Sequence, residues 1–167
     1  MAKLAPSRSV PTAMRSLAIA CLLAAALVVA VPIAAGQEGP VHTTDPDIAS
    51  GKEQRALSSA RKEWKARGVP SYVYGLTVSC FCPPTTDVKI VVRKGRPTKA
   101  TPTKLLPQAT VPRLFYTIQR AIDRKVAKLV VTYGKRGVPR SIFIDSETYV
   151  ADEEVGYIVR GFAPLKG

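Results

Sequence analysis

The sequence is poor in the residues that most often carry out chemistry. It has one histidine, three cysteines and one tryptophan among 167 residues. The histidine, His42, precedes the predicted domain, so histidine-based acid–base catalysis and histidine-rich metal sites are not expected within that domain. The sequence also lacks a Gly-x-Ser-x-Gly motif and a phosphate-binding loop. These absences exclude the common hydrolase and nucleotide-binding patterns and favour a protein that is not an enzyme and has no cofactor.

Acidic residues are scarce as well. The chain has 12 Asp and Glu residues against 25 Lys and Arg residues, which gives a formal net charge of +13. An anionic envelope component is a natural partner for such a charge, and a protein partner is the alternative. The basic residues are scattered rather than bunched, which is more typical of a solvated surface than of a dedicated anion site. Nucleic acid is not expected, because almost all aromatic residues fall on inward-facing positions.

The first residues have the pattern of an export signal. Basic residues precede an uncharged apolar run over residues 17–31, and small residues follow it up to Gly36. We expect cleavage near Gly36 or Gln37 and export to the periplasm or the medium, with no membrane span in the mature chain. The alternative is an uncleaved N-terminal anchor in the inner membrane. The predicted organisation is a signal peptide over residues 1–36, a flexible leader over 37–49 and one domain over 50–167.

Hydrophobic periodicity predicts that this domain is α+β. Apolar residues recur at helical spacing over residues 50–67, where Ser50 and Glu53 fit a capping box, and again after Thr110. The face of this second helix opposite its apolar stripe carries arginines. Alternating patterns predict strands over 72–80, 87–94, 129–133, 138–145 and 155–162. Residues 96–108 contain three prolines and are expected to be irregular. The order α-β-β-α-β-β-β favours an antiparallel sheet of four to five strands with two helices packed on one face.

Several motifs lie in order along this domain. They include Tyr72-x-Tyr74, Cys80-Phe81-Cys82-Pro83 and Asp152-Glu153-Glu154-x-Gly156-Tyr157. With this signature the chain resembles a bacterial family of small exported proteins of unknown function. The resemblance implies export and a small α+β domain, and it implies no reaction.

The cysteine pair is the first candidate site. Cys21 lies in the predicted signal peptide, so Cys80 and Cys82 have no third partner in the cleaved chain. They could bond each other, bond another chain, hold a metal or stay free. Exported cysteines are usually oxidised, which favours an intrachain disulfide. Two residues of extended strand span about 6.8 Å, so this bond requires a bend at Phe81. A thiol-redox or metal-handling protein that uses Cys80 and Cys82 is the alternative, although redox pairs usually have Cys-x-x-Cys spacing.

An acidic segment is the second candidate site. Five carboxylates lie within ten residues of this basic chain: Asp145, Glu147, Asp152, Glu153 and Glu154. Clustered oxygen ligands can bind a cation or a partner, but the spacing fits no calcium loop that we can name. A solvated loop whose carboxylates pair with nearby Lys or Arg residues is the favoured interpretation. No catalytic residue and no metal is assigned. The sequence therefore predicts an exported, non-enzymatic binding or structural module of the bacterial cell envelope.

Overall fold

Three α-helices and six strands make up the part of the chain that the structure describes. The structure, a computed structural model, describes residues 42–82, 87–101, 107–150 and 152–166. The predicted signal peptide and residues 37–41 of the predicted leader lie outside these ranges. The helices are Pro46–Ala49 (α1), Lys52–Arg67 (α2) and Val111–Asp123 (α3), and Lys135–Gly137 forms a 3-10 turn. The strands are Tyr72–Ser79 (β1), Val88–Arg93 (β2), Arg96–Thr101 (β3), Lys128–Tyr133 (β4), Pro139–Asp145 (β5) and Val155–Pro164 (β6).

The strands form one antiparallel sheet in the order β3-β2-β1-β6-β5-β4. The predicted α+β class is confirmed, although the sheet has six strands rather than four to five. The additional strand is β3, in the segment expected to be irregular. Lys94 and Gly95 both have positive φ and turn the chain tightly between β2 and β3. Pro97 is tolerated there because β3 is an edge strand, where a missing ladder N–H costs little.

The hydrophobic core lies between one face of the sheet and the helices α2 and α3. Alternate residues are buried along β2 and along β1 as far as Leu76, as the period-two pattern predicts, and Val78 is half-buried. The predicted apolar stripe of α3 is also buried, and it consists of Val111, Leu114, Phe115, Ile118, Ala121 and Ile122. Trp64 of α2 meets Tyr72 of β1 edge to face, with ring centroids 5.4 Å apart. The opposite face of the sheet has no helix among the described residues.

Residues 42–49 differ from the expectation of a flexible leader, because they pack on the domain. Asp45 is 7% exposed. Its carboxylate accepts hydrogen bonds from the backbone N–H groups of Asp47 and Ile48 and caps α1. The same carboxylate accepts a 2.8 Å hydrogen bond from the N–H of Leu129 in β4. One buried side chain therefore fixes both the start of α1 and its position against the sheet.

The predicted capping box is wrong. The residue before α2 is Gly51, which has a φ of 72° and makes no side-chain cap, whereas Ser50 ends α1. Glu53 does not reach back to the helix start and is instead buried. Ser50 is the C-cap of α1, so it cannot also cap α2. Gly51, between the two helices, has a positive φ, which a glycine adopts without strain. In the part of the chain that is described, no helix has the length and apolar composition needed to cross a bilayer.

Candidate functional site

The cysteine pair lies just beyond the end of β1. The backbone curls there, and the N–H of Cys82 donates a 2.7 Å hydrogen bond to the carbonyl of Cys80. The two α-carbons are 5.1 Å apart and the sulfur atoms are within bonding distance. The bend at Phe81 that a bond between these cysteines requires is therefore present. Phe81 itself is 80% exposed.

Two of the predicted acidic residues lie beside this pair. Asp152 and Glu154 line a shallow depression together with Cys80, Phe81 and Phe143. Among the described residues, no lysine or arginine lines it. Reactive cysteines need a cationic neighbour or a helix N-terminus that stabilises the thiolate, whereas a nearby carboxylate disfavours it. These surroundings oppose an activated thiol at either cysteine.

The five predicted carboxylates do not share one site. Asp145 accepts a 3.1 Å hydrogen bond from the backbone N–H of Glu147, and Glu147 contacts the ring of His42. Glu153 lines a different cleft from that of Asp152 and Glu154. In the ranges that the structure covers, no three His, Cys, Asp or Glu side chains are grouped closely enough to hold a metal ion. Glu147 thus pairs with a histidine rather than with the expected Lys or Arg. Binding of a cation or of another protein by the five carboxylates stays a prediction.

A concave feature lies between α3 and the β5–β6 end of the sheet. This cleft has a volume of about 440 Å³. Arg113, Arg120 and Arg124 line one side of it. They lie at positions i, i+7 and i+11, which share one face of a helix. We call this feature the arginine cleft.

The three arginines are exposed and carry their charge without a carboxylate partner. Among the described residues, none of them forms an ion pair. The guanidinium of Arg120 instead lies 5.9 Å from the ring centroid of Tyr116, at the rim of the cleft. Asp123, the carboxylate of this helix, accepts a hydrogen bond from Gln119. Glu153 is the carboxylate that lines the cleft, so positive charge predominates there.

The wall of the cleft that faces the arginines is held by partly buried hydrogen bonds. The hydroxyl of Tyr74 donates to the carbonyl of Gln108 at 3.0 Å. The side-chain amide of Gln108 in turn donates to the hydroxyl of Tyr157 at 3.3 Å. Burial raises the pKa of Tyr157, which keeps its hydroxyl neutral. Buried or half-buried apolar residues complete this wall: Val126, Ile144 and Val155. The cleft therefore joins cationic groups on one side to an apolar, preformed surface on the other.

The sequence pattern placed these arginines on the outer face of a helix and indicated nothing more about them. Their helical spacing was a visible signal, but the opposing wall comes from β5 and β6, which follow much later in the chain. Nothing in the local sequence indicates that these strands end beside α3.

The chain matches one family of proteins. Residues 56–164 match the profile of a family of unknown function, DUF6174. This range includes β1 to β6, α3 and most of α2. No curated protein and no solved structure matches the chain. Because the profile covers well over half of the sequence, the chain belongs to DUF6174, a family of unknown function.

Proposed function

We propose that this protein is an exported, non-enzymatic binding module of the bacterial cell envelope, and that it holds an anionic ligand in the arginine cleft. The observation that carries the proposal is the alignment of three exposed arginines along one cleft, where none of them forms an ion pair with a described residue. Export is supported by the basic and apolar pattern of residues 1–36. The bacterial origin is supported by the Tyr-x-Tyr, Cys-Phe-Cys-Pro and Asp-Glu-Glu-x-Gly-Tyr signature.

The chemistry of the cleft selects the ligand class. Guanidinium groups bind carboxylate and phosphate through paired hydrogen bonds as well as through charge. The volume of about 440 Å³ lies in the range of small-molecule sites. The apolar wall fits a carbon skeleton, and the hydroxyl of Tyr157 and the amide of Gln108 offer polar contacts beside it. The ligand class is therefore a small organic anion, or the anionic end of an envelope polymer.

The cysteine pair has a structural role in this proposal. Cys80 and Cys82 close a bend after β1, and the neighbouring Asp152 and Glu154 disfavour a thiolate. This arrangement weighs against the thiol-redox alternative.

Titration with inorganic pyrophosphate and with citrate, followed by calorimetry, tests the proposal. The variant R113Q/R120Q/R124Q removes the three guanidinium groups, and the control K62Q/K65Q/R67Q removes three charges from the exposed end of α2. We expect saturable binding that weakens about tenfold or more per arginine removed, as loss of hydrogen bonds to charged groups does. The control should bind as the wild type does. Equal weakening in both variants, or no saturation with either probe, would contradict the proposal.

A further inference from the structure

The uncovered face of the sheet carries a second concentration of positive charge. Alternate residues of β2 are buried in the core, so Lys89 and Arg93 point to the other face. The pairing of β2 with β3 places Lys99 and Arg96 beside them on the same face. Arg160 of β6 joins them, since Gly75 of β1 pairs with both Lys89 and Arg160. We call Lys89, Arg93, Arg96, Lys99 and Arg160 the basic face, and all five are exposed.

One carboxylate lies among these five cations. Asp87 is 3.4 Å from the guanidinium of Arg160 and accepts a hydrogen bond from the hydroxyl of Thr77. In the described ranges, the other four cations of the basic face form no ion pair. The face therefore has a large excess of positive charge over an area on which no helix of the described ranges packs.

A depression lies within this face, over Gly75. It has a volume of about 410 Å³, and Lys89, Arg160 and Asp87 surround it. Gly75 has no positive φ, and a Cβ built there would make only ordinary contacts, the nearest at 3.7 Å from the carbonyl oxygen of Arg160. Neither backbone conformation nor crowding requires a glycine at this position. Glycine inside a strand weakens the strand, and one of its uses is to let a ligand approach the backbone closely.

The shape and composition of the face favour a flat partner. The five cations span β3, β2, β1 and β6, which is about 14 Å across the sheet at the usual strand spacing. Val73 and Val91 lie between them on the same face, and Ile158, which is 38% exposed, lies next to Arg160 at the margin of this face. A linear polymer is usually held in a groove, whereas this surface is open. Scattered cations with apolar side chains between them match a layer of anionic headgroups over a hydrocarbon interior.

We propose that the basic face docks on a bilayer surface rich in anionic lipid, with one headgroup phosphate over Gly75 between Lys89 and Arg160. This surface is separate from the arginine cleft, and the inference does not depend on the cleft ligand. Docking is peripheral, and its strength falls with ionic strength because the charges remain near water.

The test uses the protein in the form that the producing cell accumulates, with its N-terminus read by mass spectrometry. It is cosedimented with vesicles of phosphatidylcholine alone and with vesicles that also contain phosphatidylglycerol. We expect binding only to the second kind, and less of it at high salt. Each cation near an anionic bilayer contributes about fivefold to partitioning. The variant K89E/K99E should therefore bind more than about tenfold more weakly, whereas K62E/K65E, with the same change of net charge on α2, should remain close to the wild type.

A charge-neutral variant isolates the depression. Gly75→Val fills it with a residue that strands favour, so binding should fall severalfold while the thermal midpoint is kept or raised. If the thermal midpoint of Gly75→Val falls, the same binding measurement is made with Gly75→Ala, whose smaller side chain fills less of the depression. Equal binding to both kinds of vesicle would overturn the proposal, and so would equal weakening by the two charge-reversed variants. A concentration-dependent dimer that K89E/K99E abolishes would assign the face to a second copy instead. R113Q/R120Q/R124Q should weaken vesicle binding less than K89E/K99E does, so failure of one proposal is distinguishable from failure of the other.

Discussion

His42 and Glu147 are 105 residues apart in the sequence, yet Nδ1 of the histidine lies 2.9 Å from the carboxylate. The other ring nitrogen, Nε2, lies 2.8 Å from the carbonyl oxygen of Lys125. A carbonyl and a carboxylate both only accept hydrogen bonds, so the ring satisfies both contacts only when both nitrogens carry protons. The contact with Glu147, followed by that with Lys125, raises the pKa of His42 above its ordinary value.

The first prediction concerns this pKa. NMR titration of the His42 ring should give a pKa above that of an unfolded histidine. The stabilisation from the contact should be complete below the ordinary histidine pKa and be lost as the pH rises through the raised one. Glu147→Gln should lower the pKa towards its ordinary value, because it removes the larger of the two causes. A pKa that Glu147→Gln leaves unchanged would show that the carboxylate does not hold the ring in solution.

The second prediction concerns Glu53, which is 8% exposed and whose Oε2 has no hydrogen-bond partner among the described residues. Burial, and then repulsion by Asp47 and Asp45, raises its pKa. A raised carboxyl pKa means that the folded protein holds its proton longer, so stability falls as the pH rises from the ordinary glutamate pKa through the raised one. Glu53→Gln should therefore be more stable than the wild type at neutral pH, by up to about 1 kcal/mol.

Urea denaturation at several pH values checks this prediction. The stability difference between Glu53→Gln and the wild type should shrink as the pH falls through the raised pKa of Glu53 towards the ordinary glutamate value. Glu63→Gln is the control, because this glutamate lies on the exposed side of the same helix. A difference that does not change with pH would mean that ionisation of Glu53 is not the cause.

The third prediction compares two glycines that both have a positive φ, Gly68 and Gly137. Gly137 has a φ of 70°, and a Cβ there would overlap the backbone carbonyl of Ala60 in α2. Gly68 has a φ of 52° and open space around it. Gly68→Ala should cost about 1–2 kcal/mol from conformation alone. Gly137→Ala should cost about 3 kcal/mol or more, because the 3-10 turn must also move away from α2. Thermal unfolding of both variants measures the difference, and equal losses would refute the close packing of the turn on α2.

The fourth prediction concerns the cysteines. We expect non-reducing mass spectrometry of the exported protein to show an intrachain disulfide between Cys80 and Cys82. The closed loop is very short, so its entropic stabilisation should be below the few kcal/mol that are typical of longer loops. The variant C80S/C82S should fold with a modestly lower midpoint. Two free thiols in the exported protein would exclude the disulfide, and loss of a thiol-exchange activity in a normally folded variant would favour the redox alternative.

The local sequence pattern was sufficient to predict which side of a single helix or strand is buried. The stripe from Val111 to Ile122 and the alternation along β1 depend only on which side of one element meets the core, and both were predicted correctly. Contacts between distant segments were not predictable. Asp45 and His42 looked like parts of a flexible leader because their partners, Leu129 and Glu147, lie more than 80 residues away.

The candidate functional surfaces were harder to predict from the sequence, because they too are formed by segments that are far apart in the chain. The spacing of Arg113, Arg120 and Arg124 was visible, but a cleft needs a second wall, and β5 and β6 supply it from far along the chain. The strand β3 was missed for a different reason. The prolines of residues 96–108 count against a strand in general, and only the sheet order shows that β3 lies at an edge where Pro97 is tolerated.

The position of β6 between β1 and β5 has a consequence for synthesis. A nascent chain that has emerged only through β5 has two separate ladders, β1 with β2 and β3, and β4 with β5. No strand joins them until Val155 and the residues after it leave the ribosome. Pairing across such long sequence separations is slow to form and comes late. The two ladders therefore cannot join into one sheet before β6 has been synthesised.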